Sequence, residues 1–361
     1  VLILAFLLGL ITAVVGIILS PTVISFFAVE PAVSHIAVQY LQVTFAASPL
    51  ALCLYMGNGV FRGNGRTRVP MTIALITNVI NIFASYVLVL GRLGFPQLGG
   101  VGAGLAASLA HIAGFFLMLA AMASGRWGVH LQFRELTRPV RPIMVEIMRL
   151  GVPAGVEELV RNAGLVATSL ILVNLGTQAF ASHQIAMTVE SLSYMPGFGM
   201  AIAATSIVGQ SLGAGKPAVA RQGAFKSFRF ALLIMGGAGL LFFFLPQVLA
   251  GFFTNDPDLT RIAGMAIKIA AMEQIAVAAE MVFAGSLRGI GNTKSPMLVA
   301  ILGTWCFRLP LLWLIVNRLH LGLYQVWFLF VVDWYLRALV LFILFLRTNW
   351  RKIPLVSHQS A

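Results

Sequence analysis

Six carboxylates fall deep inside long apolar runs of this 361-residue chain: Glu157, Glu158, Glu190, Glu273, Glu280 and Asp333. The chain has only 11 acids in all, so more than half sit where an ionised side chain costs about 2.5–3.5 kcal/mol at a helix centre. Two kinds of chemistry meet that cost. A carboxyl in a confined cavity can exchange a proton for a cation, or it can be neutralised in a structural ion pair. Asp333 has Arg337 four residues on, which is pairing distance on a helix. Arg161 stands four residues after Glu157 and three after Glu158, and can pair with either. It can alternatively reach Glu190 across helices. Glu273 and Glu280, seven residues on, share roughly one helical face, and Gln274 is the neighbour of the first. Arg308, just before Pro310, can pair with an acid or line a cavity. Asn78 and Asn81 can bond across helices or line a cavity of their own. His183 and Gln184 read as packing or capping residues. No nucleophile–base set or metal-ligand spacing occurs, and Cys53 and Cys306 both lie in apolar runs. The chain therefore reads as a non-enzyme with no cofactor and no metal site.

The elements that must carry these groups are membrane spans. Hydrophobic residues make up 59% of the chain and charged residues 10%, against about 25% charged in a soluble domain. Mean hydropathy is +0.94. Runs long enough to cross a bilayer as helices fall at about 1–27, 34–61, 69–91, 101–124, 143–173, 183–209, 224–253, 259–286, 295–317 and 323–346. The formal charge of +13 comes from basic loops rather than a nucleic-acid-binding face. Arg62, Arg66 and Arg68 begin one set. It continues through Arg126 to Arg141, then Lys216 and Arg221, then Arg288 and Lys294, and ends with Arg347, Arg351 and Lys352. The alternate loops are poor in bases, so the first set is expected in the cytoplasm with the C-terminus.

Phe61-Arg62-Gly63-Asn64-Gly65-Arg66-Thr67 resembles Leu287-Arg288-Gly289-Ile290-Gly291-Asn292-Thr293, and Pro70 and Pro296 follow in step. The register of 226 residues from Arg62 to Arg288 also brings Pro31 onto Pro257. This predicts a duplicated bundle with parallel halves, related by an axis along the membrane normal, around a shared cleft. The second half has six spans and the first has four, so the expected whole is twelve, with the chain starting after the first two. A chain so shortened is expected to transport poorly. The expected division is 1–124 for the first lobe, 125–142 for a basic linker, 143–347 for the second lobe and 348–361 for a tail.

Several stretches carry a family resemblance. They are Gly151-Val152-Pro153-Ala154-Gly155-Val156-Glu157-Glu158, Ala181-Ser182-His183-Gln184, Glu190 through Pro196 to Gly199, Val208-Gly209-Gln210-Ser211-Leu212-Gly213, and Arg288-Gly289-Ile290-Gly291. Together they resemble the multidrug and toxic compound extrusion (MATE) family, in its DinF-like branch, along essentially the whole chain. The resemblance implies an all-α, two-lobe membrane bundle. It implies export of organic cations, drugs or amphiphilic metabolites in exchange for H⁺ or Na⁺, by a monomer in a bacterial inner membrane among membrane lipids. It also marks Arg62, Gly63, Gly65, His183, Gln184, Pro196, Gln210, Gly213, Arg288, Gly289 and Gly291 as structural motif residues. Two positions depart from the family pattern: Ser85 stands where an acid often follows the helix asparagine, here Asn81, and Val277 stands where the sodium-linked branch has an acid. The alternative function is a flippase for lipid-linked oligosaccharide or lipid, which needs deep cations for a pyrophosphate.

Overall fold

The computed structural model describes residues 2–26, 30–129 and 141–350, and among these every regular element is a helix. The expected linker at 125–142 and tail at 348–361 lie largely outside the described residues. The chain forms two compact units, Val1–Val145 and Glu146–Ala361.

The first unit contains α1 (Leu2–Ser25), α2 (Pro31–Ala46), α3 (Ser48–Gly63), α4 (Arg68–Leu90) and α5 (Gly99–Ala123). The second contains most of α6 (Arg141–Leu172), followed by a 3-10 turn at Val173–Leu175. Then come α7 (Thr177–Gly213), α8 (Pro217–Phe244), α9 (Pro246–Gly251) and α10 (Pro257–Gly289). Next is one span of alternating character: α11 (Lys294–Ile301), a π-helical stretch Leu302–Arg308, α12 (Leu309–Trp313) and a second π stretch Leu314–Arg318. The last element is α13 (Leu323–Arg347).

Among the described residues, eight spans are long and apolar enough to cross a membrane, or nine with α2 and α3 counted as one crossing bent by 50°. Two differences from the ten expected runs have local causes. The second run breaks at Ala47, where Ser48 and Pro49 start a new helix and proline removes a backbone donor. The fifth run is a continuous helix, but Glu157, Glu158 and Arg161 make α6 too charged to pass as an apolar crossing.

The duplication is visible in the backbone. Helices begin at Pro31 and Pro257 and end at Gly63 and Gly289; the next begin at Arg68 and Lys294, all in the register of 226. The connecting turns are alike as well. Gly65 N–H donates to the Arg62 carbonyl (3.1 Å) and Arg66 N–H to that of Phe61 (2.9 Å). Gly291 donates to Arg288 (2.9 Å) and Asn292 to Leu287 (3.0 Å). Gly65 and Gly291 sit at φ of 75° and 86°, the left-handed region that glycine adopts freely.

Within the second unit α10 is the core, packed along α7, α8 and α13. It is 61% buried over its most apolar window, more than any other span. Asp256 caps its start, Oδ1 accepting from the N–H groups of Asp258 (2.8 Å) and Leu259 (3.2 Å). Small residues such as Ala266, Ala270, Ala278 and Gly285 let neighbouring backbones approach closely. A Cβ on Gly285 would run into the Ala201 carbonyl of α7. Gly285→Ala is therefore expected to lower stability by about 1–3 kcal/mol through overpacking. Thermal unfolding in detergent, with Gly237→Ala in open space as the control, measures the difference.

Candidate functional site

The deep acids of the second unit separate into three groups. The first is an ion triad. Asp333 and Arg337 stand one turn apart on α13, and Arg308 closes the first π stretch opposite them. Asp333 is fully buried and Arg337 nearly so. Arg308 Nε donates to Asp333 Oδ2 at 2.7 Å and Arg337 Nε to Oδ1 at 2.9 Å. Their Nη2 atoms lie 2.6 and 2.7 Å from Oδ2. Arg337 also donates to Thr304 Oγ1 at 3.2 Å. Gly303 makes room for this arrangement, since a Cβ there would strike the Arg337 guanidinium. Aromatic faces complete the sheath: Arg308 lies 4.8 Å from the Phe330 ring centre and 5.2 Å from that of Trp334.

The second group is a carboxyl pair. Glu190 on α7 and Glu273 on α10 are both buried and lie close enough to act on one another electrostatically. Tyr194 and Gln274 stand beside Glu190. Ser193 Oγ donates to Gln274 Oε1 at 2.6 Å, and Gln274 Nε2 to the Ala270 carbonyl at 3.2 Å, which fixes that amide. No N–H or O–H among the described residues reaches Glu190 Oε1 or Glu273 Oε2. Two neighbouring buried carboxylates repel one another when both are ionised, so the pair can hold a proton or trade it for a cation. Arg308 acts electrostatically on both acids, so triad and pair are within electrostatic range of one another.

The third group is farther along the bundle. Glu157 Oε1 pairs with Arg288 and, at 3.4 Å, with Arg161. Arg161 also meets Glu158 at 3.3 Å, and Asn162 Nδ2 donates to Glu158 Oε1 at 3.1 Å. Arg288 lies fifteen residues beyond Glu273 on α10, about 22 Å at helical rise. Glu280 is half-buried between the groups, in electrostatic range of Arg161, Arg288 and Arg337.

Several expectations are corrected by this geometry. Glu157 and Glu158 belong to the Arg288 end, apart from Glu190, Glu273 and Asp333. Arg161 turns to its own helix rather than to Glu190, because its spacing from both glutamates suits an intrahelical pair. Arg288, one of the basic loop set, pairs with the buried carboxylate of Glu157. His183 is buried against Trp327 and Phe330 as a packing residue, whereas Gln184 next to it is exposed. In the first unit Asn78 is exposed, and Asn81 Oδ1 accepts from Ser85 Oγ at 3.3 Å. Pro196 lies inside α7, while Gln210 and Gly213 are exposed at its end. Sequence reasoning missed Tyr194, Ser193 and Thr304. Tyr194, four residues after Glu190, was open to the same spacing rule that identified Arg337.

The duplicated frame makes the chemistry one-sided. In the 226-residue register Glu273 corresponds to Ala47, Glu280 to Leu54, Asp333 to Ala107, Arg308 to Ile82 and Arg337 to His111. Among the described residues no three His, Cys, Asp or Glu side chains form a metal-binding group.

The MatE family model matches residues 1–87 and 153–314. A probable multidrug resistance protein NorM of Thermotoga maritima is 32% identical over 347 residues, covering 94% of this chain and 73% of that protein. The protein of the same name from Rhizobium meliloti is 30% identical over 364 residues, covering 98% and 75%. Among solved structures, a MATE protein in its straight conformation superposes with a TM-score of 0.87 at 21% identity, covering 95% of this chain and 76% of that one. A MOP-superfamily transporter from Pyrococcus furiosus superposes at 0.86 with 22% identity and the same coverage.

Asp333→Asn would leave two buried guanidinium groups facing each other without an anion. The expected loss is about 3–5 kcal/mol of stability, read as a lowered melting temperature in detergent. Adding Arg308→Met to that variant is expected to recover part of it.

Proposed function

This chain belongs to the MatE family, whose members are transporters and not enzymes, and from that premise we propose that it exports small organic cations, drugs or amphiphilic metabolites by secondary antiport. The driving ion in this reading is H⁺, with Na⁺ as the alternative counter-ion, and the setting is a bacterial inner membrane. The relatives' name, multidrug resistance protein, supports the substrate class.

The observation that carries the coupling is the buried pair Glu190–Glu273 with its unsatisfied oxygens. The triad beside it has two cations and one anion, a net charge of +1. A pair sharing one proton carries −1 and balances the triad, so the whole assembly is neutral inside the protein. Losing that proton leaves an extra negative charge, which a cationic substrate or Na⁺ can neutralise. Proton and cation then compete for one pair of carboxyl groups, and that competition is what antiport requires. Asp333 pairs with both Arg308 and Arg337, so neither is a free deep cation for a lipid pyrophosphate.

In proteoliposomes, efflux of a fluorescent organic cation is expected to stop when the H⁺ gradient is collapsed, and to persist when only the Na⁺ gradient is. The reverse result assigns Na⁺; efflux indifferent to both gradients rejects antiport. Glu190→Gln and Glu273→Gln are each expected to cut gradient-driven efflux at least tenfold, a change of about 1.4 kcal/mol, with melting temperature retained. Unchanged coupling in both variants would remove the pair from the mechanism.

A further inference from the structure

Between Glu190 and Asp256 the sequence holds no acid and four bases, Lys216, Arg221, Lys226 and Arg229. The last three lie on α8, and all four are exposed. At 100° per residue, Arg221, Phe225, Arg229, Gln222 and Lys226 fall within one arc of about 140°. A half-open recess of about 330 Å³, lined by Ala218, Arg221, Gln222 and Phe225, lies on that arc. The Arg221 guanidinium sits 5.9 Å from the centre of the Phe225 ring. No carboxylate among the described residues pairs with any of the four bases, although Arg149, Arg161 and Arg261 each have one.

Farther along α8 the same arc turns apolar and stays open, with Leu233 71% and Leu240 62% exposed. That combination has a chemical reading. Exposed leucines on a membrane span face acyl chains, and bases one or two turns away stand at the level of the headgroups. Three like charges within about 12 Å along a helix repel one another unless an anion lies among them.

We propose that the α8 recess binds the phosphate headgroup of an anionic phospholipid. Arg221, Lys226 and Arg229 hold the phosphate, the Gln222 amide donates to the headgroup, and the acyl chains run along Leu233 and Leu240. Charge selects the lipid, and the leucine stripe separates a lipid from a free phosphate ester. The site lies on the outer face of the second unit and takes no part in the Glu190–Glu273 chemistry.

Native mass spectrometry of the purified protein with phosphatidylglycerol or phosphatidylcholine tests this without recourse to transport. The protein is expected to retain phosphatidylglycerol in preference. That preference should fall about fivefold for each cation removed in Arg221→Gln, Lys226→Gln and Arg229→Gln, singly and together. Arg261→Gln, a base paired with Asp258, is the control and should leave it unchanged. Equal retention of both lipids, or a preference that survives the triple variant, overturns the proposal. Displacement of the lipid by soluble glycerol phosphate at equal concentration also overturns it, assigning the recess to phosphate esters. The single variants keep the test decisive if the triple variant melts early.

Discussion

Asp333 has no accessible surface, and two arginines from different spans share it. Breaking such an arrangement by removing one partner is far costlier than its net contribution to stability, because the remaining charge has nowhere to go. The surrounding sequence is arranged accordingly. Gly303 gives Arg337 its space, Thr304 takes one of its N–H groups, and Phe330 and Trp334 cover Arg308. The triad also bears on the neighbouring carboxyl pair, since Arg308 acts electrostatically on both acids.

The two halves of the chain share a frame and differ in chemistry. Helix starts, helix ends and the hydrogen-bonded turn after each Arg-Gly pair recur in one register. Yet the first copy has Ala47 where the second has Glu273, and the helix of the first copy breaks there. Backbone geometry thus follows from glycine and proline, which both copies retain. The reactive side chains sit at helix-interior positions, where a substitution leaves turns and caps intact.

That division also explains what could be read from the sequence. Asp333–Arg337 and Arg161 with its two glutamates follow from spacing on one helix, and the repeated turns follow from Arg-Gly-x-Gly. Pairings between distant helices had no such signal: Glu157 and Arg288 are 131 residues apart, and Glu190 and Glu273 meet only after α7 and α10 pack. The break at Ala47 was written in Ser48-Pro49, but a continuous apolar run hid it. The π stretches had no distinct sequence signature, since Pro310 between them signals a break in the backbone bonding but not its form.

Those stretches have a mechanical meaning. A π turn accommodates one residue more than an α turn, so Leu302–Arg308 and Leu314–Arg318 each hold slack within a hydrogen-bonded rod. Drawing the slack out at the first would swing Arg308 by about 100° around the axis, away from Asp333. Such a shift would strip a buried ion triad of one partner, so the pairing with Asp333 resists it.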